Sequence, residues 1–339
     1  KGMAAVGASI VAAGTTVAGL GAAAIKVGIE FESAFAGVKK TVDASDEQLS
    51  ALHDGLIDLS KEIPVTAAGL SAIAESAGQL GIDVDNIEEF TATMADLSVA
   101  TNLTAEEAAT SFARFANIVG MSQENFDKLG SVVVALGNNL ATTEAEITAM
   151  AMRIAGAGSQ VGLTEAQIMA FSGALSSVGI EAEAGGTAFS TLISKMSLAV
   201  AQGGAALTDF SDVAGMTGDE FREAFEQDAG QAILSFIQGL ARINDEGGSA
   251  IKTLDDIGLS DIRMRDALLR ASGASDVFAE ALDIANTAWD ENIALSKEAE
   301  QRYKTMESRL QLLKNSVSAL GIAIYESTDE GLGSAVDLA

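Results

Sequence analysis

His53, beside Asp54, is the one imidazole in the chain. A histidine that activates a nucleophile needs that nucleophile and an orienting carboxylate converging on it. No local grouping of Ser, His and Asp surrounds His53, so its reading is structural. With a single His and no Cys, an HExxH zinc helix, a thiolate nucleophile and a disulfide framework are all excluded. The stretch Gly156-Ala157-Gly158-Ser159-Gln160-Val161-Gly162 invites a phosphate-loop reading. It has one residue too many before its last Gly for GxGxxG, no strand precedes it, and no Gly-Lys-Ser/Thr occurs in the chain. It reads instead as a flexible connection between helices. Asp83-Val84-Asp85-Asn86 opens like a calcium loop, but Ile87 and Glu88 stand where a fifth-position ligand and the sharp-turn Gly belong. That segment reads as a capped helix start. Glu106-Glu107 and Asp255-Asp256 fit solvated charges at helix ends, not a dyad split by a cleft. Asn102-Leu103-Thr104 matches a glycosylation sequon and reads as a helix cap. The expectation is therefore no catalytic residue, no cofactor and no metal: the chain is not an enzyme.

The elements that carry these residues are helical. One Pro (Pro64) in 339 residues, with many Ala, Leu, Ile and Glu, leaves long stretches free to form helix, and no segment alternates like a strand. The punctuation repeats. Val119-Gly120-Met121-Ser122, Val161-Gly162-Leu163-Thr164 and Ala214-Gly215-Met216-Thr217 share one pattern, with Leu80-Gly81-Ile82-Asp83 and Ile257-Gly258-Leu259-Ser260 as further copies. Gly takes the left-handed position, an apolar residue packs back, and Ser or Thr caps the next helix. Thr104 with Glu107 and Thr164 with Gln167 add capping boxes. Phe112, Phe115, Ala116 and Val119 share one face, as do Leu129, Val132, Val133 and Leu136. The predicted fold is all-α: an apolar Gly/Ala-rich N-terminal helix (1–29), an array of helical hairpins in a core of short helices (30–202), further hairpins (203–272), and from Gly273 a long C-terminal heptad helix (273–339).

Two seams stand out. Residues 2–25 hold no charge, and Gly7, Gly14, Gly21 and Gly28 recur every seven residues with Val11, Ala18 and Ile25 between them. Such a small-residue seam admits a second backbone closely, in a bilayer or in a tight bundle of copies. Near the other end, Tyr303, Met306, Leu310, Leu313, Val317, Leu320 and Ile324 are spaced 3, 4, 3, 4, 3, 4, with Ala299 upstream. That is an a/d heptad seam, facing either further copies of the chain or its own hairpins. The net charge of −28, from 48 acidic and 20 basic residues, argues against specific nucleic-acid binding, which needs clustered Lys and Arg. The start at Lys1 and the absence of an evident terminus predict a fragment of a longer polypeptide.

The order of segments resembles a known family. After the apolar helix come Glu30-Phe31-Glu32-Ser33-Ala34-Phe35, Ile63-Pro64-Val65-Thr66 and Ala77-Gly78-Gln79-Leu80-Gly81. Glu181-Ala182-Glu183-Ala184-Gly185-Gly186-Thr187-Ala188-Phe189 and Leu192-Ile193-Ser194-Lys195-Met196 follow. Together they resemble the core region of phage tail tape-measure proteins of long-tailed phages and prophages of Gram-positive bacteria, with Phe31-Glu32 and Gly185-Gly186-Thr187 as the most family-like pieces. The resemblance implies a protein made in the bacterial cytoplasm and packed with chaperones into the tail lumen or tip of the virion. It would set tail length, associate as three or six copies, contact tail-tube and tail-tip proteins, and aid DNA passage on infection, with entry into the host membrane as one route. An acidic surface suits DNA sliding past it. The competing reading is a membrane-active helical protein such as a pore-forming toxin component, which would share the apolar helix and the hairpins.

Overall fold

A computed structural model describes residues 25–336, with side chains to residue 327. Every regular element among them is helical, and none is a strand. Helix α1 covers 25–41, followed by α2 (Asp46–Glu62), α3 (Ala67–Gln79), α4 (Val84–Ala100), α5 (Ala105–Val119) and α6 (Phe126–Asn139). Then come α7 (Glu144–Gln160), α8 (Glu165–Ser177), α9 (Ala182–Gln202), α10 (Gly204–Ala214), α11 (Gly218–Gln227) and α12 (Ala229–Asp245). The series ends with α13 (Ala250–Asp256), α14 (Ile262–Ser272), α15 (Ser275–Glu291), α16 (Ala294–Tyr303) and α17 (Met306–Val336).

The repeated turn forms wherever its pattern occurs. Gly81, Gly120, Gly162, Gly215 and Gly258 all take φ between 73° and 81°, a region an L side chain enters only under strain. In each case the amide of the following apolar residue reaches back five residues, as Met121 does to the Ala116 carbonyl at 3.0 Å and Leu259 to Leu254 at 2.7 Å. This satisfies a carbonyl that the helix end would leave open. Both expected capping boxes are present, and Ser45 with Gln48, Thr143 with Glu146 and Thr217 with Glu220 form three more. The Thr104 backbone N–H, and secondarily its hydroxyl, hold the Glu107 carboxyl below its ordinary value. Thr217 does the same for Glu220.

Some expectations need correction. Gly156 and Gly158 lie inside α7, not in a connection. An added Cβ on Gly158 would meet Ile168 at 3.0 Å, so this Gly brings α7 close to α8. Ser122 caps a single 3-10 turn (Gln123–Asn125) that precedes α6. Asp255 and Asp256 end α13, where the helix dipole does not favour them; Asp255 pairs with Arg265 at 3.8 Å. After Gly273 the chain is not one helix. It breaks at Asn292, the one described non-glycine residue with positive φ (50°), and again at Lys304-Thr305. Asn292 is pinned from α6: its amide donates to Asp127, and its Oδ1 accepts from the Ser131 hydroxyl at 3.0 Å. The Thr305 hydroxyl then accepts from the Ser308 amide at 3.2 Å and starts α17.

The chain divides into two compact units, one made of residues 1–99 with 299–339 and the other of 100–298. In the second unit α8 is the central helix. Every residue from Ala166 to Leu175 is buried, and α6, α7, α9, α14 and α15 all pack on it. Phe171 meets Phe189 of α9 and Phe278 of α15, with ring centroids 5.0 and 6.3 Å apart. A helix apolar on all sides must be surrounded in this way. The first unit is built on α1, whose buried stripe of Gly28, Phe31, Phe35 and Val38 has helical spacing, and on α2, which carries α17.

Candidate functional site

The last turns of α2 leave carbonyls with no partner inside the helix. Asn315 of α17 supplies one. It is 1% exposed, and its amide nitrogen donates to the carbonyls of Ser60 and Val65, both at 2.8 Å, and of Ile63 at 3.4 Å. Its own oxygen accepts from Gln311 at 2.8 Å. Ala319 and Ile322 continue the buried face. Tyr325 then packs on Gly28, where an added Cβ would lie 2.3 Å from the ring, and donates its hydroxyl to Glu32 at 2.6 Å. Glu326 reaches His53 Nε2 at 3.1 Å, while Asp54 lies 3.0 Å from Nδ1. The imidazole packs against both Phe31 and Phe35, with ring centroids 4.9 and 5.0 Å away. His53 is thus a packing residue under α17.

Tyr303 departs from the expected seam. It ends α16, and its hydroxyl donates to Asp96 of α4. Burial, followed by the Asp96 charge, pushes the phenol well above its ordinary value, so it remains a neutral donor. Burial also raises the Asp96 carboxyl above 3.8, against the lowering effect of the Tyr303 hydrogen bond. The sign follows from linkage. A raised folded-state value means that the native state holds the proton more tightly, so stability is full below 3.8 and declines as pH rises through the folded value. Asp96→Asn keeps an acceptor for Tyr303 and removes the buried charge. The variant should melt higher than the parent at pH 7, and the gap should close toward pH 4, as scanning calorimetry of both proteins would record.

The face of α17 opposite Asn315 carries apolar side chains that are largely exposed. Met306, Leu310, Leu313, Val317, Leu320 and Ile324 are 50–71% exposed, whereas the face bearing Asn315, Ala319 and Ile322 is the one laid on the unit. Of the N-terminal seam, Gly7, Val11, Gly14, Ala18 and Gly21 lie outside the described residues. Ile25 is exposed on α1, and Gly28 makes room for Tyr325.

The family-like segments turn out to be packing devices. Phe31-Glu32 and Ile63-Pro64-Val65 receive α17 through the contacts just described. At Gly78 an added Cβ would come within 3.0 Å of Thr41 and Val42, so α3 meets the end of α1 there. Gly185 and Gly186 lie within α9, where a Cβ would meet Ile180 and Arg153, each at 2.3 Å. They let α9 close on α7, and the Ser190 hydroxyl then donates to the Arg153 carbonyl at 2.8 Å. Thr187 bonds back to the Glu183 carbonyl at 2.7 Å. Among the described residues no group of three or more His, Asp or Glu is placed to hold a metal ion, and no helix is long and apolar enough to cross a membrane.

Residues 53–321 match the family model described as phage-related minor tail protein. The chain belongs to that family. The match runs from His53 on α2 to the docked part of α17. Membership gives this minor tail protein a structural role in the phage tail, among other tail components. No curated protein and no solved structure matches it.

Proposed function

We propose that this minor tail protein is a tape-measure component of a long phage tail, held in the tail lumen as several copies and released ahead of the DNA. Family membership over residues 53–321 carries the reading. The order of segments from Phe31-Glu32 to Gly185-Gly186-Thr187 narrows it to the tape-measure type. The charge of −28 supports it, since a channel shared with DNA needs a surface that DNA does not bind. Partners under this reading are further copies of the chain, tail-tube and tail-tip proteins and assembly chaperones. Each unit is built mostly of short helices joined by turns, so neither is a rod that converts residue count to length at about 1.5 Å per residue.

Deleting the gene separates this role from other minor tail roles. A phage lacking a tape measure should yield heads with no tails, or tubes without a defined length, in negative-stain images. Tails of normal length that merely fail to infect would instead point to a tip or fibre role.

A further inference from the structure

We propose that His53, packed under α17, is a proton-operated latch that sets how firmly residues 322–326 of that helix dock on α1 and α2. Both ring nitrogens face carboxylates. Nδ1 lies 3.0 Å from Asp54 of its own helix, and Nε2 lies 3.1 Å from Glu326 of α17. A carboxylate only accepts hydrogen bonds, whereas a neutral imidazole has one N–H and one lone pair. Both contacts are therefore hydrogen bonds only when the ring carries two protons. Asp54 is the next residue on α2 and stays at hand, while Glu326 comes from another helix and can leave. The neutral ring thus keeps its proton on Nδ1, toward Asp54, and turns a lone pair to Glu326. The imidazolium holds Glu326; the neutral ring repels it.

The surroundings set the size and the sign of the effect. The His53 side chain is 24% exposed and that of Glu326 45%, so water screens the pair in part and the effect is severalfold. From α1, Glu32 and Lys39 line the same cavity of about 260 Å³. Glu32 accepts from the Tyr325 phenol of α17, and Lys39 lies over the Phe35 ring at 5.7 Å. Asp46 lies on the other side of the ring, at the start of α2. Asp58 and Lys61, paired with each other, border α17 further along α2. Among side chains of these types only an imidazole ordinarily changes charge between about pH 5 and 8. The docked state takes up the proton, so docking strengthens as pH falls and weakens as pH rises. At high pH Glu326 lets go and Tyr325 leaves the notch at Gly28, while the Asn315 amide, which does not titrate, still holds the middle of α17. The latch lies wholly within the first unit, and its failure would leave the tail role standing.

The test is amide hydrogen exchange of the 339-residue chain between pH 5 and 8, expressed as protection factors. The charge of the ring is read alongside from the NMR signal of the chain's one imidazole. In the parent, protection at 322–326 should fall about fivefold as the ring loses its proton, with 312–316 unchanged. Glu326→Gln gives Nε2 a donor to accept from. Asp54→Asn lets the neutral ring accept at Nδ1 and donate from Nε2 to Glu326. Each variant should keep, at pH 8, the protection that the parent shows at pH 5. Asp54 bonds to the ring and not to α17, so a gain at pH 8 in that variant reports the tautomer rather than a lost contact. His53→Gln should show no pH response at 322–326. Asp96 is present in every protein compared, so its own titration cancels. Parent protection that does not follow the charge of the ring would overturn the latch. So would the parent's pH response surviving in Asp54→Asn, Glu326→Gln or His53→Gln.

Discussion

Gly239→Ala should lower the stability of the 100–298 unit by about 3 kcal/mol, the upper range for overpacking a tight contact. Gly239 lies on α12 where that helix crosses the end of α10. An added Cβ would stand 1.8 Å from the Val213 carbonyl oxygen and 2.7 Å from its carbon. Those are backbone atoms and cannot swing aside. The same carbonyl accepts from Arg242 Nη2 at 3.3 Å, so α12 places its cation at the C-terminal end of α10, where the helix dipole favours it. Separating the two helices would break that hydrogen bond and loosen the Phe210–Phe236 pair, whose ring centroids are 5.4 Å apart. For a unit of this size the loss corresponds to a fall of roughly 6–12 °C in Tm, measurable by calorimetry. An unchanged Tm would show that α10 and α12 do not approach as described.

Asn315→Leu should release α17. The variant keeps the bulk of the side chain but removes the donor shared by Ser60, Ile63 and Val65. A buried carbonyl left without a partner costs about 1–3 kcal/mol. Orphaning the Ser60 and Val65 carbonyls together should therefore cost about 2–6 kcal/mol. The helix can avoid that cost by lifting off α2 and letting water reach the carbonyls. Hydrogen exchange should therefore quicken at least tenfold at amides 316–326 and at the end of α2, with little change in α8 and α9. Asn315→Asp sharpens the test. Its carboxylate would face carbonyl oxygens, so docking should fail at neutral pH and recover as acid protonates it. Undiminished protection of α17 in Asn315→Leu would show that Ala319, Ile322 and Tyr325 suffice to hold it.

What was legible in the sequence was mostly local. The turns at Gly81, Gly120, Gly162, Gly215 and Gly258 need only a left-handed residue and an apolar neighbour, both written within four positions. The capping boxes are equally short-range. The faces of Phe112, Phe115 and Ala116, and of Leu129, Val132, Val133 and Leu136, are buried as their period requires, with Val119 only half-buried. What escaped depends on partners far along the chain. Asn292 breaks a helix because Asp127 and Ser131 hold it from α6; an Asn in the left-handed cap position was the one local signal. Val178-Gly179-Ile180 is another copy of the turn, with Gly179 at φ 74°; its sequence fits the pattern and could have been found. Periodicity could show that α17 has an apolar seam but not whether its own unit covers it. The unit instead takes the face bearing Asn315, because α2 ends in carbonyls that an amide can satisfy. Gly185 and Gly186 were visible as a distinctive pair, yet their purpose appears only once α7 lies against them.

Purified tails from the phage that encodes this chain offer the most direct test of the tape-measure role. Quantitative mass spectrometry should be combined with protease treatment, before and after DNA release is triggered. A tape measure in the lumen predicts several copies per tail, full protection from protease while the tail is loaded, and loss of the chain from the tail once DNA has left. A chain that is cleaved in intact tails and retained after release would be an external structural protein, and the tape-measure role would be contradicted.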